Sequence, residues 1–178
     1  STQGVSSAAS DVYKRQFCIR ADTMKRIEGL IDVIKLCVRN AEQLTGAKAD
    51  ISWGEISAER YPNRPMCQAF KDNMEILGIK MKWPDPKAQY GSSDIGNVSI
   101  KIPAIHDYLS ITDDKTIQAH TKEYADAAKS EEAQEICLKG AKGLAMTGYD
   151  ILSSDEFQAE IRRFHEQQIP DFYKEKKS

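Results

Sequence analysis

The chain has 178 residues, 40% of them apolar and 29% charged, and a net charge of −2. That balance suits a globular protein with a core in one domain or two small ones. It argues against broad electrostatic binding to nucleic acid or an anionic membrane, and no apolar run nears the roughly 20 residues that span a bilayer. No secretory signal pattern is read in the first residues. Cys18, Cys37, Cys67 and Cys137 are scattered without a C-x-x-C pair, so reduced thiols in a cytoplasmic protein are expected rather than a disulfide framework.

Residues 6–16, SSAASDVYKRQ, resemble the in-frame translation of a sequencing adapter. Residues 1–16 are therefore set aside from fold and function. Phe17 to Arg20 alternates like a short strand. From Asp22, read as an N-cap, to Gly46, read as a stop, Ile27, Leu30, Ile31, Ile34, Val38 and Leu44 recur at helical spacing, which predicts a long amphipathic helix. Ala49, Ile51 and Trp53 then alternate with polar residues as a second strand. Strand, helix and strand together are half of a ferredoxin-like sandwich.

After a polar crossing from Gly54 to Arg64, Pro65 opens a short helix with Met66, Phe70, Met74 and Leu77, closed by Gly78. Ile79–Trp83 and the alternating run Ile105 to Ile111 read as strands. Ser130, followed by Glu131 and Glu132, caps a helix whose interior carries Gly140, Gly143 and Gly148. Each glycine costs about 1 kcal/mol against alanine there, so close backbone packing against a sheet is expected. Ser153 with Glu156 reads as a capping box for a last helix with Phe157, Ile161 and Phe164. His165 on that helix is expected to be solvated, and the tail DFYKEKKS to fray.

Chemistry-bearing residues cluster between 91 and 120. The turn GSSDIGNVS (91–99) offers two hydroxyls, a carboxylate and an amide from Ser92, Ser93, Asp94 and Asn97. Such residues either contact a ligand or cap their own turn. His106 in PAIHDY is either a secondary site residue or a strand histidine held by a neighbour. His120 in AHTKEY lies on a polar loop ahead of a helix. A neutral imidazole there is a zinc ligand when others converge on it, and otherwise an ordinary surface residue. No P-loop, dinucleotide fingerprint, nucleophile elbow or H-E-x-x-H pattern is present.

Taken in order, GSSDIGNVS, PAIHDY, AHTKEY and the small-residue helix running to Leu152 resemble the carboxy-terminal end of metal-dependent amidohydrolases. These are the co-catalytic zinc peptidases that include aminoacylases, glutamate carboxypeptidases and aminobenzoyl-glutamate hydrolases. The segment FCIRADTMKRIEGLIDVIKLCVRNAEQLTGAKADISW (17–53) resembles the second half of the family's lid. The resemblance implies an α/β fold: a partial ferredoxin-like lid over 17–54, then the closing part of the catalytic domain over 55–178. It implies His120 as a zinc ligand, with Ala119 where asparagine is commoner. It also implies substrate contacts from Gly91, Ser92, Ser93, Asp94 and Asn97, and a secondary role for His106, which Asp107 follows in place of a proline.

The family implies two zinc ions, with manganese as the alternative metal, and an N-acyl amino acid, dipeptide or aminobenzoyl-glutamate-like substrate. It further implies a homodimer formed through the lid. The other ligands and the glutamate base are expected upstream of Phe17, which would leave these 178 residues inactive alone and prone to aggregate. The competing expectation is a non-catalytic dimerisation or interaction module.

Overall fold

The computed structural model describes residues 13–85, 91 and 93–174. Their contacts divide the chain into two units, Ser1–Glu59 and Arg60–Ser178.

The first unit is built on α1, Met24–Thr45. Thr23, one residue after the expected Asp22, is its N-cap and accepts from the Arg26 amide. Asp22 instead pairs with the Arg26 guanidinium at 2.9 Å, which holds its carboxyl below the ordinary range. Gly46 ends the helix as expected. Its φ of 72° is a left-handed conformation that a side chain would strain, and its N–H returns to the Glu42 carbonyl. No residue of α1 is buried. Leu30, Val33, Leu36 and Leu44 stay exposed, Leu44 at 87%.

In the second unit, α2 spans Arg64–Ile76, α3 Ile95–Ser99, α4 Lys122–Ala127, α5 Glu131–Ser153, α6 Asp155–Gln168 and α7 Asp171–Lys174. The core lies where α2, α5 and α6 meet one another. Helix α2 begins at Asn63, whose side chain accepts from the Met66 amide, and Pro65 sits in its first turn. Fully buried Met74 and Phe70 face Gly143 of α5. A Cβ built on Gly143 would collide with the Met74 sulfur and lie 3.1 Å from Phe70 Cε2. A Cβ on Gly140 would come within 2.7 Å of Leu109. Gly140 and Gly143 do mark close packing, but against a loop side chain and a helix rather than a sheet. Gly148 meets nothing within 4 Å.

Ser130 caps α5 as expected, whereas α6 is capped by Ser154 in place of Ser153. The segments 17–20, 49–53, 79–83 and 105–111 carry no strand ladder. Among the described residues the sheet-like feature is one parallel bridge between Pro62 and Ala104. A strand requires a neighbour whose N–H and C=O groups complete its own, and these segments have none among the described residues. Half of the tail expected to fray, residues 175–178, lies outside the described residues. Residues Asp171–Lys174 make a helical turn, and buried Tyr173 meets Tyr61 edge-on at 5.9 Å.

Asn63 is 0% exposed and does two jobs. Besides capping α2, its amide nitrogen donates to the Ile161 carbonyl of α6 at 2.9 Å. Asn63→Ala removes the cap and leaves a buried carbonyl without that donor, so a loss of about 2 kcal/mol is expected in urea unfolding.

Candidate functional site

Three segments of the second unit are tied together: 60–63 leading into α2, 93–99 around α3, and 104–108. The Asn63 amide donates to the Ala104 carbonyl at 2.8 Å beside the Pro62–Ala104 bridge. Ser99, 1% exposed, links the first two segments. Its hydroxyl accepts from the Tyr61 amide at 3.0 Å and donates to the Gly96 carbonyl at 2.9 Å. The Ser99 carbonyl in turn accepts from Nε2 of His165 at 2.9 Å. That partly buried histidine, expected to be solvated, thus anchors the turn to α6. A carbonyl can only accept, so the His165 nitrogen facing it carries the proton.

The 91–99 turn holds itself in the way its composition allows. Ser93 accepts at its hydroxyl from the Ile95 amide and at its carbonyl from the Gly96 amide, both by short-range bonds of 3.3 and 3.1 Å. The Ser93 hydroxyl also sits 3.4 Å from the Asp94 carboxylate. Asp94 and Asn97 are exposed, and Gly96 is buried inside the helical turn. Gly91 is exposed with open space beside it. Ser92 lies outside the described residues. The turn therefore shows local capping.

His106 is exposed, and its ring stacks on Tyr108 with centroids 4.8 Å apart. Arg60 reaches both, with Nη1 at 3.3 Å from His106 Nδ1 and 2.8 Å from the Tyr108 hydroxyl. Arg60 and Tyr108 were not singled out from the sequence. Arg60 falls in a polar crossing with no motif around it, and the alternation at 105–111 was the signal that put His106 and Tyr108 on one side.

Asp107 turns the other way. Burial pushes its carboxyl up to about 6, and its Oδ2 has no hydrogen-bond partner among the described residues. The Cys67 thiol of α2 is raised to about 12, first by burial and then by the Asp107 charge. A thiol held protonated in this way is a poor nucleophile and metal ligand.

His120 stands apart from this group. It is exposed, with φ of 67°, on the turn just before α4. This left-handed conformation is uncommon for a residue with a side chain and tends to mark functional turns. Thr121 beside it donates to the Gln118 carbonyl at 2.7 Å and caps α4 at the Tyr124 amide, which fixes the turn. A shallow depression of about 210 Å³ borders the turn, lined by Thr116, Ile117, Gln118, Thr121 and Glu123. No hydrogen bond or ion pair joins the His120 ring to another described residue, and no group of three or more His, Cys, Asp or Glu side chains able to hold a metal forms among them. One imidazole falls short of the three or so protein ligands of a catalytic zinc. The described residues by themselves do not fit a zinc centre.

No family model matches the chain. Among curated proteins it is similar to the Xaa-Arg dipeptidase of Mus musculus, 35% identical over 153 residues, and to the Xaa-Arg dipeptidase of Homo sapiens, 35% identical over 149 residues. These matches cover 83% and 82% of the chain but 34% of each relative. The chain thus spans about a third of the length of the curated relatives it matches.

Proposed function

We propose that the chain is part of a metal-dependent amidohydrolase that cleaves the amide bond of a dipeptide or N-acyl amino acid. The observation carrying this reading is the 35% identity to two proteins named Xaa-Arg dipeptidase, sustained over 153 and 149 residues. In that role Asp94 and Asn97 would contact substrate from the turn that Ser93 and Ser99 hold in place. Gly91, Ser92 and Ser93 complete that proposed binding strip. His120, presented on a fixed turn, would contribute one imidazole to a zinc site whose other ligands lie outside the described residues. Zinc, with manganese as the alternative, and a cytoplasmic homodimer formed through 17–54 belong to the same proposal. So does the α/β architecture, a partial lid followed by the end of a catalytic domain.

The test is an assay of the protein encoded by the intact reading frame on dipeptides ending in a basic residue and on N-acyl amino acids. Hydrolysis that a chelator abolishes and zinc restores is expected, with that response lost in His120→Ala. No turnover of either substrate class would sink the proposal. The 178-residue chain, which spans about a third of the length of those relatives, is expected to be inactive when assayed alone.

A second reading, a non-catalytic association module, is favoured by the exposed Leu30, Val33, Leu36 and Leu44 of α1. Sedimentation of the intact protein together with the assay separates the two. Dimer formation without hydrolysis supports the association module.

A further inference from the structure

The contact between Arg60 and His106 determines which imidazole nitrogen holds the proton. Arg60 Nη1 lies 3.3 Å from His106 Nδ1. A guanidinium carries donors and no acceptor, and it stays protonated throughout the range in which proteins fold. The nitrogen facing it must therefore present its lone pair. In neutral imidazole the single proton then sits on Nε2.

Two further contacts fix the partners. The His106 and Tyr108 rings stack at 4.8 Å with 27° between their planes, and the Tyr108 hydroxyl accepts from the same Arg60 nitrogen at 2.8 Å. The Arg60 guanidinium carbon lies 5.8 Å from the centre of the Tyr108 ring. His106 itself is exposed, and no hydrogen bond engages its Nε2 among the described residues.

We infer that Arg60 is a positioning residue that holds His106 as the Nε2–H tautomer, so that His106 donates a hydrogen bond to an oxygen acceptor and does not ligate a metal. Metal ligation needs an available lone pair on a ring nitrogen. In this arrangement Nδ1 spends its lone pair on Arg60, and Nε2 carries the proton. The chemistry open to His106 is donation to a carbonyl or carboxylate oxygen. His120 differs, because no cationic donor occupies either of its nitrogens among the described residues. The inference stands on the Arg60–His106 geometry and is independent of the proposed hydrolysis.

The experiment is long-range ¹H–¹⁵N correlation NMR on the uniformly labelled 178-residue chain at about pH 8, where histidine is ordinarily neutral. His106 is expected to show a protonated Nε2 and a lone-pair Nδ1, with that tautomer favoured about tenfold, the worth of one charge-assisted hydrogen bond. Equimolar Zn²⁺ should leave the His106 signals in place. Arg60→Lys, which still donates, is expected to keep the tautomer. Arg60→Glu, which supplies an acceptor, is expected to move the proton to Nδ1. The wild-type spectrum tests the tautomer even where a variant fails to fold, and the Arg60→Glu spectrum tests that Arg60 sets it. A protonated Nδ1 in the wild type, a zinc-induced shift of His106, or an Arg60→Glu variant that keeps the wild-type tautomer would each overturn it.

Discussion

Met74→Ala is expected to destabilise the second unit by about 2–5 kcal/mol, the largest single loss from any substitution argued for this chain. Met74 is 0% exposed at the α2–α5 contact, and its sulfur occupies the space a Cβ on Gly143 would need. Truncation removes the thioether and leaves a void walled by Phe70 and the α5 backbone. Gly143→Ala alone is also expected to destabilise, by about 1 kcal/mol, because overpacking outweighs the gain in helix propensity. The two changes should not add. With Met74 shortened, the new methyl enters vacated space, so the double variant is expected to be more stable than the sum of the single losses predicts, by about 1–2 kcal/mol. Urea unfolding of the four proteins in the cycle measures this. Strict additivity would show that the two residues are not in the contact described.

Asp107→Asn is expected to change the pH dependence of stability. The Asp107 carboxyl is raised from 3.8 to about 6 by burial. The folded protein therefore holds this proton more tightly than the unfolded chain does. Its contribution is fully present below about pH 4 and is lost as pH rises through about 6. The whole shift corresponds to about 3 kcal/mol at most. Because the side chain is only partly buried, solvent screening reduces this to about 1 kcal/mol. The asparagine variant should match the wild type near pH 4 and exceed it by about that amount at pH 7.5. Denaturation midpoints at the two pH values decide the matter. An equal difference at both would mean that Asp107 ionisation does not affect folding.

Helical periodicity located α1, α2 and α6, because an apolar stripe repeating every three to four residues has few other physical solutions, while the Ser130 cap and the acids of its first turn located α5. Cap positions slipped by one at Thr23 and Ser154. In both places two neighbouring side chains can accept the bond, and the backbone conformation decides between them. The run 105–111 is more instructive. Ile105, Asp107, Leu109 and Ile111 are partly buried while His106, Tyr108 and Ser110 are exposed. The alternation gave the facing of each side chain correctly, yet among the described residues no neighbouring strand bonds it. Period-two patterning records which side is covered and says nothing of whether a ladder exists. The turn at 91–99 was legible as a polar motif because Ser, Asp and Asn act locally. Arg60 was not, since its meaning depends on His106 and Tyr108, which lie 46 and 48 residues away. The His165 bond to Ser99 spans 66 residues and was hidden for the same reason.

The uncovered α1 and the tight α2–α5–α6 contact give the two units different lifetimes under attack. Backbone that opens often is cut by a protease long before backbone that must wait for global unfolding. Residues 46–57 have no regular structure and follow a helix with no buried residue, and Lys48 offers trypsin a cleavage site there. Limited digestion should sever this stretch first and release the Arg60 side as a slowly degraded remnant. The same asymmetry would concentrate rapid amide exchange ahead of residue 60 and slow exchange around Met74 and Gly143.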